Sequence, residues 1–269
     1  MKPQVQQYFG FKKMPFSATI EIEDYFKLTS MLDVEEGIKF TSEVGSTYTL
    51  MGEIGSGKST ILDYAINNLN KKEKLMMVKV VGGKWGMTEF ISTILRAFSS
   101  PVTTNRISIL MHELGVAVDA SYSEGLKPIL CVDESHLLNS DIFQQLHLLS
   151  QQGQKGLMPL VLVGQNDLLD KLRQPLARPL YSRIGDAYQV EALSSSEAIA
   201  YIDHHLKNIA GVSPSVIEDK AKIAIGQFSN NIMRSMNELA YRSLRIAMKN
   251  ERTYVSWADV NVANKPLFR

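Results

Sequence analysis

The chain has 269 residues, 45% hydrophobic and 21% charged, with 29 Lys and Arg against 28 Asp and Glu. That composition excludes a disordered or collagen-like chain, and the length suits one large domain or a domain with a smaller lid. The single cysteine excludes a disulfide framework and a cysteine zinc site, which fits a reducing cytoplasm.

No run of about 18 apolar residues predicts a membrane span, and residues 1–10 lack the apolar stretch of a signal peptide. Residues 47–51 (TYTLM) form a β-prone run ending in a Gly-rich turn. Residues 59–69 place Ile61, Leu62, Ala65, Ile66 and Leu69 at helical spacing. Residues 75–81 (LMMVKVV) predict a second, buried strand, punctuated by Gly82 and Gly83. Helices are expected over 88–98, stopped by Pro101, and over 107–119. Residues 128–132 predict a third strand that opens on two acids. Asp141 is the expected N-cap of a helix carrying Ile142, Phe143, Leu146 and Leu149. Residues 160–163 and 188–190 supply a fourth and a fifth strand. Strands separated by helices predict an α/β fold with a parallel sheet.

After Leu193 the pattern turns all-helical. Ser194 and Glu197 stand at capping-box spacing, and helical spacing continues over 198–209, 214–228, 232–249 and 256–263. The expected division is an α/β nucleotide-binding domain over 1–192 and a small all-α lid domain over 193–269. Charge follows this division: residues 220–269 carry nine basic against three acidic side chains, so the remainder is net acidic.

The sharpest motif is Gly52-Glu53-Ile54-Gly55-Ser56-Gly57-Lys58-Ser59, a full G-x4-G-K-[ST] match followed by Thr60. Glycines let backbone N–H groups curl round phosphate oxygens, and the new helix N-terminus adds its positive end. Lys58 is expected to reach the β- and γ-phosphates, and Ser59 to hold Mg²⁺ through its hydroxyl. In Ile129-Leu130-Cys131-Val132-Asp133-Glu134, an apolar strand delivers two acids at its carboxyl end, where α/β sheets bind ligands. Asp133 suits the outer contact to Mg²⁺, and Glu134 suits the base that polarises an attacking water. Together the motifs predict nucleoside triphosphate hydrolysis. A kinase competes, but no second-substrate motif stands out.

These motifs make the chain resemble an AAA+ ATPase, within the ExeA/GspA-like group and its relatives among DNA transposition ATPases (TnsC/TniB, MuB and IstB types). The likeness also takes in Tyr8-Phe9-Gly10-Phe11, Met14-Pro15-Phe16-Ser17, Asp133-Glu134-Ser135-His136, Leu160-Val161-Leu162-Val163-Gly164-Gln165 and Arg178-Pro179-Leu180-Tyr181-Ser182-Arg183-Ile184. It implies a P-loop NTPase core with a five-stranded parallel sheet flanked by helices, ATP and Mg²⁺ as ligands, and self-assembly into rings or helices. Gln165, or Asn166 beside it, resembles sensor 1. Arg183 resembles the arginine finger, with Arg178 second. Arg234 resembles sensor 2, although Ser229-Asn230-Asn231-Ile232-Met233-Arg234 lacks the usual Gly-x-Pro-Arg turn. Pro15 and Phe16 stand where the group walls its adenine. In the group His136 fills a variable, structural slot, so no chemistry is assigned to it. His204 and His205 lack acidic or Cys neighbours at metal spacing and are expected on the surface or in the core.

Two clients compete. One is duplex DNA, with an ATP-dependent oligomer that recruits a transposase or target-selection partner. The other is an envelope secretion apparatus, as for the ExeA/GspA proteins, whose membrane segment is not found here. A bare ATP-gated protein scaffold is a third reading. In transposition relatives the loop matching Gly82-Gly83-Lys84-Trp85 tracks a DNA strand, which makes Lys84 a phosphate contact. The polar run Thr103, Thr104, Asn105 and Arg106 offers a second loop, while Trp85 is expected in the core. No base-reading motif is visible, so DNA binding should be sequence-independent and salt-sensitive.

Overall fold

The computed structural model describes residues 4–102 and 104–266. Its elements are α1 (Val5–Phe9), α2 (Thr29–Val44), β1 (Thr47–Gly52), α3 (Lys58–Lys72), β2 (Leu75–Val81), α4 (Met87–Ala97), α5 (Ile107–Ser123), β3 (Lys127–Asp133), α6 (Ser140–Leu149), β4 (Leu160–Gly164), α7 (Asp167–Leu172), α8 (Arg178–Tyr181), β5 (Ile184–Val190), α9 (Ser195–His204), α10 (Asp219–Phe228), α11 (Met233–Lys249) and α12 (Trp257–Ala263). They fall into two units, residues 28–54 with 58–190, and residues 4–27 and 55–57 with 191–266.

The first unit is an α/β layer structure. Its strands pair in the order β2-β3-β4-β1-β5, and every pairing is parallel. The apolar runs of β3 and β4 are continuous because both faces are covered: Ile129, Leu130, Cys131, Val132, Val161, Leu162 and Val163 are all buried. Phe90, Ile91 and Ile94 of α4, Leu110 and Leu114 of α5, and Ile142 and Leu146 of α6 complete one core with β2, β3 and β4. Each large side chain so buried contributes roughly 1.5–3 kcal/mol. Because β3, β4 and β1 are neighbours, their carboxyl ends share one edge, which carries the loops that follow them.

Three local features differ from the sequence expectation. Helix α2 was not expected, since Gly37 lowers helix propensity and Leu32, Phe40 and Val44 are exposed. Gly37 is nonetheless required, because a Cβ there would stand 2.4 Å from the Tyr48 ring. Strand β5 starts at Ile184 rather than 188, as an edge strand whose mostly exposed residues hide its pattern. Helix α6 starts at Ser140 with Asn139 as N-cap, so Asp141 stands in the first turn, where its charge favours the helix dipole.

The second unit is helical. Ser194 and Glu197 form a reciprocal capping box at the start of α9. A single π turn, His205–Ile209, continues that helix. A second capping box joins Ser256 and Asp259 ahead of α12. The N-terminal segment, expected within the α/β domain 1–192, packs instead with these helices. Lys12 N–H donates to Ala210 O (2.8 Å), and Phe16 N–H donates to His205 Nδ1 (3.0 Å). The Phe16 and His205 rings stack with centroids 5.0 Å apart. The boundary after β5 falls between Val190 and Glu191.

Candidate nucleotide site

Gly52 ends β1, and the glycine-rich loop turns the chain directly into α3. Gly55 and Gly57 take φ of 81° and 92°, a left-handed backbone that glycine adopts without steric cost. Lys58 is only 7% exposed, and its Nζ donates to Gly52 O (3.0 Å) and Glu53 O (2.7 Å). Glu53 and Ile54 are exposed, while Ser59 and Thr60 are half-buried in the first turn of α3. Ser56 Oγ is buried with no hydrogen-bond partner among the described residues. A buried orphan hydroxyl beside a buried ammonium and a helix N-terminus fits a polyphosphate.

Asp133 ends β3 and is 5% exposed. Its Oδ1 accepts from Glu134 N–H (2.9 Å), and its Oδ2 stands 3.5 Å from Lys79 Nζ, which also donates to Asp63 (2.5 Å). Burial alone would lower the Lys79 pKa, but the Asp63 and Asp133 carboxylates hold it above its ordinary value. Behind the acids, burial pushes the Cys131 thiol up, so it stays neutral and acts as core.

Glu134 has φ 51°, a left-handed conformation that costs on the order of 1–3 kcal/mol in a residue with a Cβ. The neighbouring loop braces it. Gly82 N–H donates to Asp133 O (2.6 Å), and a Cβ on Gly82 would fall 2.5 Å from Glu134 O. This turn aims the Glu134 side chain off the strand line, where it is 38% exposed.

Gln165 directly follows β4. Its N–H points at His136 Nδ1 (3.4 Å), and its Nε2 lies 2.9 Å from His136 Nε2. His136 Nδ1 stands 3.5 Å from Glu134 Oε2. His136, to which sequence reasoning assigned no chemistry, is buried and touches side chains delivered by two different strands. Its turn is pinned by Ser135 Oγ, which donates to Val163 O (2.9 Å), and by Lys171 Nζ, which donates to His136 O and Leu138 O. Asn166 faces elsewhere, accepting from Gln189 Nε2 (2.9 Å).

The other expected residues are divided between the two units. Arg178 and Arg183 are exposed, and Arg183 Nη1 donates to Pro179 O (2.6 Å). Arg234 starts α11 within the helical unit, where its N–H donates to Gly55 O (3.2 Å). Lys84 and Arg106 are exposed, and Thr104 Oγ1 accepts from Arg106 N–H (3.2 Å). Thr103 lies outside the described residues. Trp85 is half-buried near Phe90, and its carbonyl accepts from Asn139 Nδ2 (2.7 Å). Pro15 and Phe16 are buried in the helical unit. His204 Nε2 meets Asp24 O (2.8 Å) and His205 is core, so packing accounts for both.

Residues 43–172 match the family model described as an AAA domain. The fold is that of an AAA-type P-loop NTPase. Among solved structures, Cdc6p from Pyrobaculum aerophilum superposes with a TM-score of 0.73 at 17% identity, covering 92% of this chain and 69% of that one. The Aeropyrum pernix ORC1 protein in complex with DNA gives a TM-score of 0.68 at 14% identity, covering 94% and 69%. The general secretion pathway protein A of Aeromonas hydrophila is 24% identical over 96% of this chain, which spans 47% of that protein's length.

Proposed function

We propose that this chain is a Mg²⁺-dependent ATPase that assembles into a ring or helix of identical copies on duplex DNA and recruits a transposase or target-selection protein. The observation that supports hydrolysis is the shared carboxyl edge: the phosphate loop of β1, the acids of β3 and the Gln165 end of β4 lie on adjacent strands. Lys58 and the loop amides hold the phosphates, with Arg234 as a further nucleotide contact. Ser59 and Asp133 hold Mg²⁺, a cation that takes one or two protein oxygens together with phosphate oxygens. The bound cation supplies charge neutralisation on the phosphates. Glu134 polarises the attacking water, Gln165 orients it, and Arg183 reaches the nucleotide of a neighbouring copy, a role that its exposure permits.

DNA as the client is favoured by Lys84 and Arg106, exposed basic side chains on loops beside a net acidic body. Repeated around an assembly, a few such phosphate contacts give binding without sequence preference. The setting proposed is cytoplasmic; no described helix is long and apolar enough to cross a membrane. The second reading, a secretion-assembly ATPase, is favoured by the 24% identity to general secretion pathway protein A over 96% of this chain. Electron microscopy with duplex DNA and a non-hydrolysable ATP analogue separates them. Rings or filaments on DNA, weakened by Lys84→Glu, support the first reading; indifference to DNA supports the second.

A further inference from the structure

The chemistry of the β3 and β4 ends meets at one side chain, His136. His136 is buried, with Nδ1 3.5 Å from Glu134 Oε2 and Nε2 2.9 Å from Gln165 Nε2. Its ring therefore lies between the group placed to polarise water and the group placed to orient it. We propose that His136 is a positioning residue that couples Glu134 to Gln165, so that the two side chains take their working orientations together. This rests on the ATPase reading above.

The ring touches both side chains at once. Nε2 meets the Gln165 amide, while Nδ1 faces both the Gln165 backbone N–H and the Glu134 carboxylate. A shift of Gln165 then turns the ring, and the ring moves the carboxylate. The surroundings suit a fixed pivot. Lys171 from α7 clamps the His136 and Leu138 carbonyls, and Ser135 ties the same turn to Val163. Glu134 is the contrasting partner, held in a left-handed backbone with a side chain 38% exposed, and so has room to swing.

The test measures steady-state ATP turnover and binding of a fluorescent ATP analogue by the full chain, with duplex DNA present and absent. The proteins are wild type, Lys58→Ala, His136→Ala, His136→Phe, Gln165→Ala and the His136→Ala/Gln165→Ala double variant. His136→Phe keeps ring volume while removing both nitrogens, and serves if the alanine variant does not fold. Loss of positioning should lower kcat on the order of 10- to 100-fold, with analogue affinity within about twofold of wild type. The double variant should be no slower than the slower single variant, because both changes break one unit. Unchanged kcat in His136→Phe overturns the proposal, as do losses that multiply in the double variant or a parallel loss of affinity. Wild-type turnover no higher than that of Lys58→Ala overturns the ATPase reading itself and the coupling with it.

Discussion

The two units use buried polar groups in opposite ways. At the sheet edge of the α/β unit, Lys58 donates to loop carbonyls, a bonding that a polyphosphate can replace, and Glu134 sits in a strained backbone with its carboxylate partly exposed. In the helical unit Lys222 and Asp259 are closed on internal partners. Lys222 reaches Asp203 (2.8 Å) and Asp219 (3.0 Å), and Asp259 accepts from Ser256 N–H (3.0 Å), Ser256 Oγ (2.7 Å) and Arg252 (3.0 Å). Polar groups held for a ligand cost stability and return function, whereas groups satisfied internally do the reverse. Substitutions at the edge should therefore change chemistry with little change in melting temperature, and those in the helical unit should do the opposite.

The largest effect belongs to Glu134→Gln, which keeps size and removes the base. Turnover should fall by about 10²- to 10⁴-fold, the usual span of general-base catalysis. Nucleotide binding should persist and an ATP-bound assembly accumulate; brisk turnover would sink the base assignment. Next comes Lys58→Ala, which removes a charged donor from the phosphate loop. Nucleotide affinity should drop by about 100-fold, since hydrogen bonds to charged groups are worth roughly 1.5–3 kcal/mol. Calorimetry with ATP measures it, and a melting temperature within a few degrees of wild type keeps the contrast intact.

The same contrast decides what was legible in the sequence. The phosphate loop is contiguous, so eight residues and their flanking patterns disclosed its place between β1 and α3. Buried strands β1 to β4 were readable for the same local reason. Other features depend on groups far apart in sequence. His136 gains meaning only when β3 and β4 pair and bring Gln165 beside it. Helix α2 escaped notice because Gly37 is chosen by the Tyr48 ring rather than by helix propensity. The N-terminal segment packs with the helical unit through Phe16 and His205, 189 positions apart, which no local pattern records.

A smaller effect is expected in the helical unit from Asp259→Ala. Burial alone would raise this carboxyl's pKa, but Ser256 and Arg252 hold it below the ordinary range, so the carboxylate is charged and fully used. Its loss removes the reciprocal cap of α12 and the Arg252 pair. The expected destabilisation is about 1–2 kcal/mol, read by chemical denaturation. ATP turnover at a temperature where the variant is folded should match wild type; a specific loss of turnover would break the division between the units.

The smallest effect is a dependence on pH. His205 is fully buried beside His204, Tyr201, Phe16 and Asp24, and it accepts the Phe16 N–H through Nδ1. Burial, reinforced by the His204 charge and opposed by Asp24, pushes its pKa down to about 3. The folded state therefore holds the imidazole neutral where the unfolded chain would protonate it, below an ordinary His pKa of about 6.5. Stability is complete above that ordinary value and declines as pH falls from it toward about 3, with a slope of up to about 1.4 kcal/mol per pH unit. From pH 7 to pH 5.5 the helical unit should lose on the order of 1 kcal/mol through this group. His205→Asn can offer its side-chain oxygen to Phe16 N–H without titrating. Denaturation midpoints for both proteins across this interval should show a shallower fall in the variant. Equal slopes would mean that the buried histidine does not set the acid limit of the helical unit.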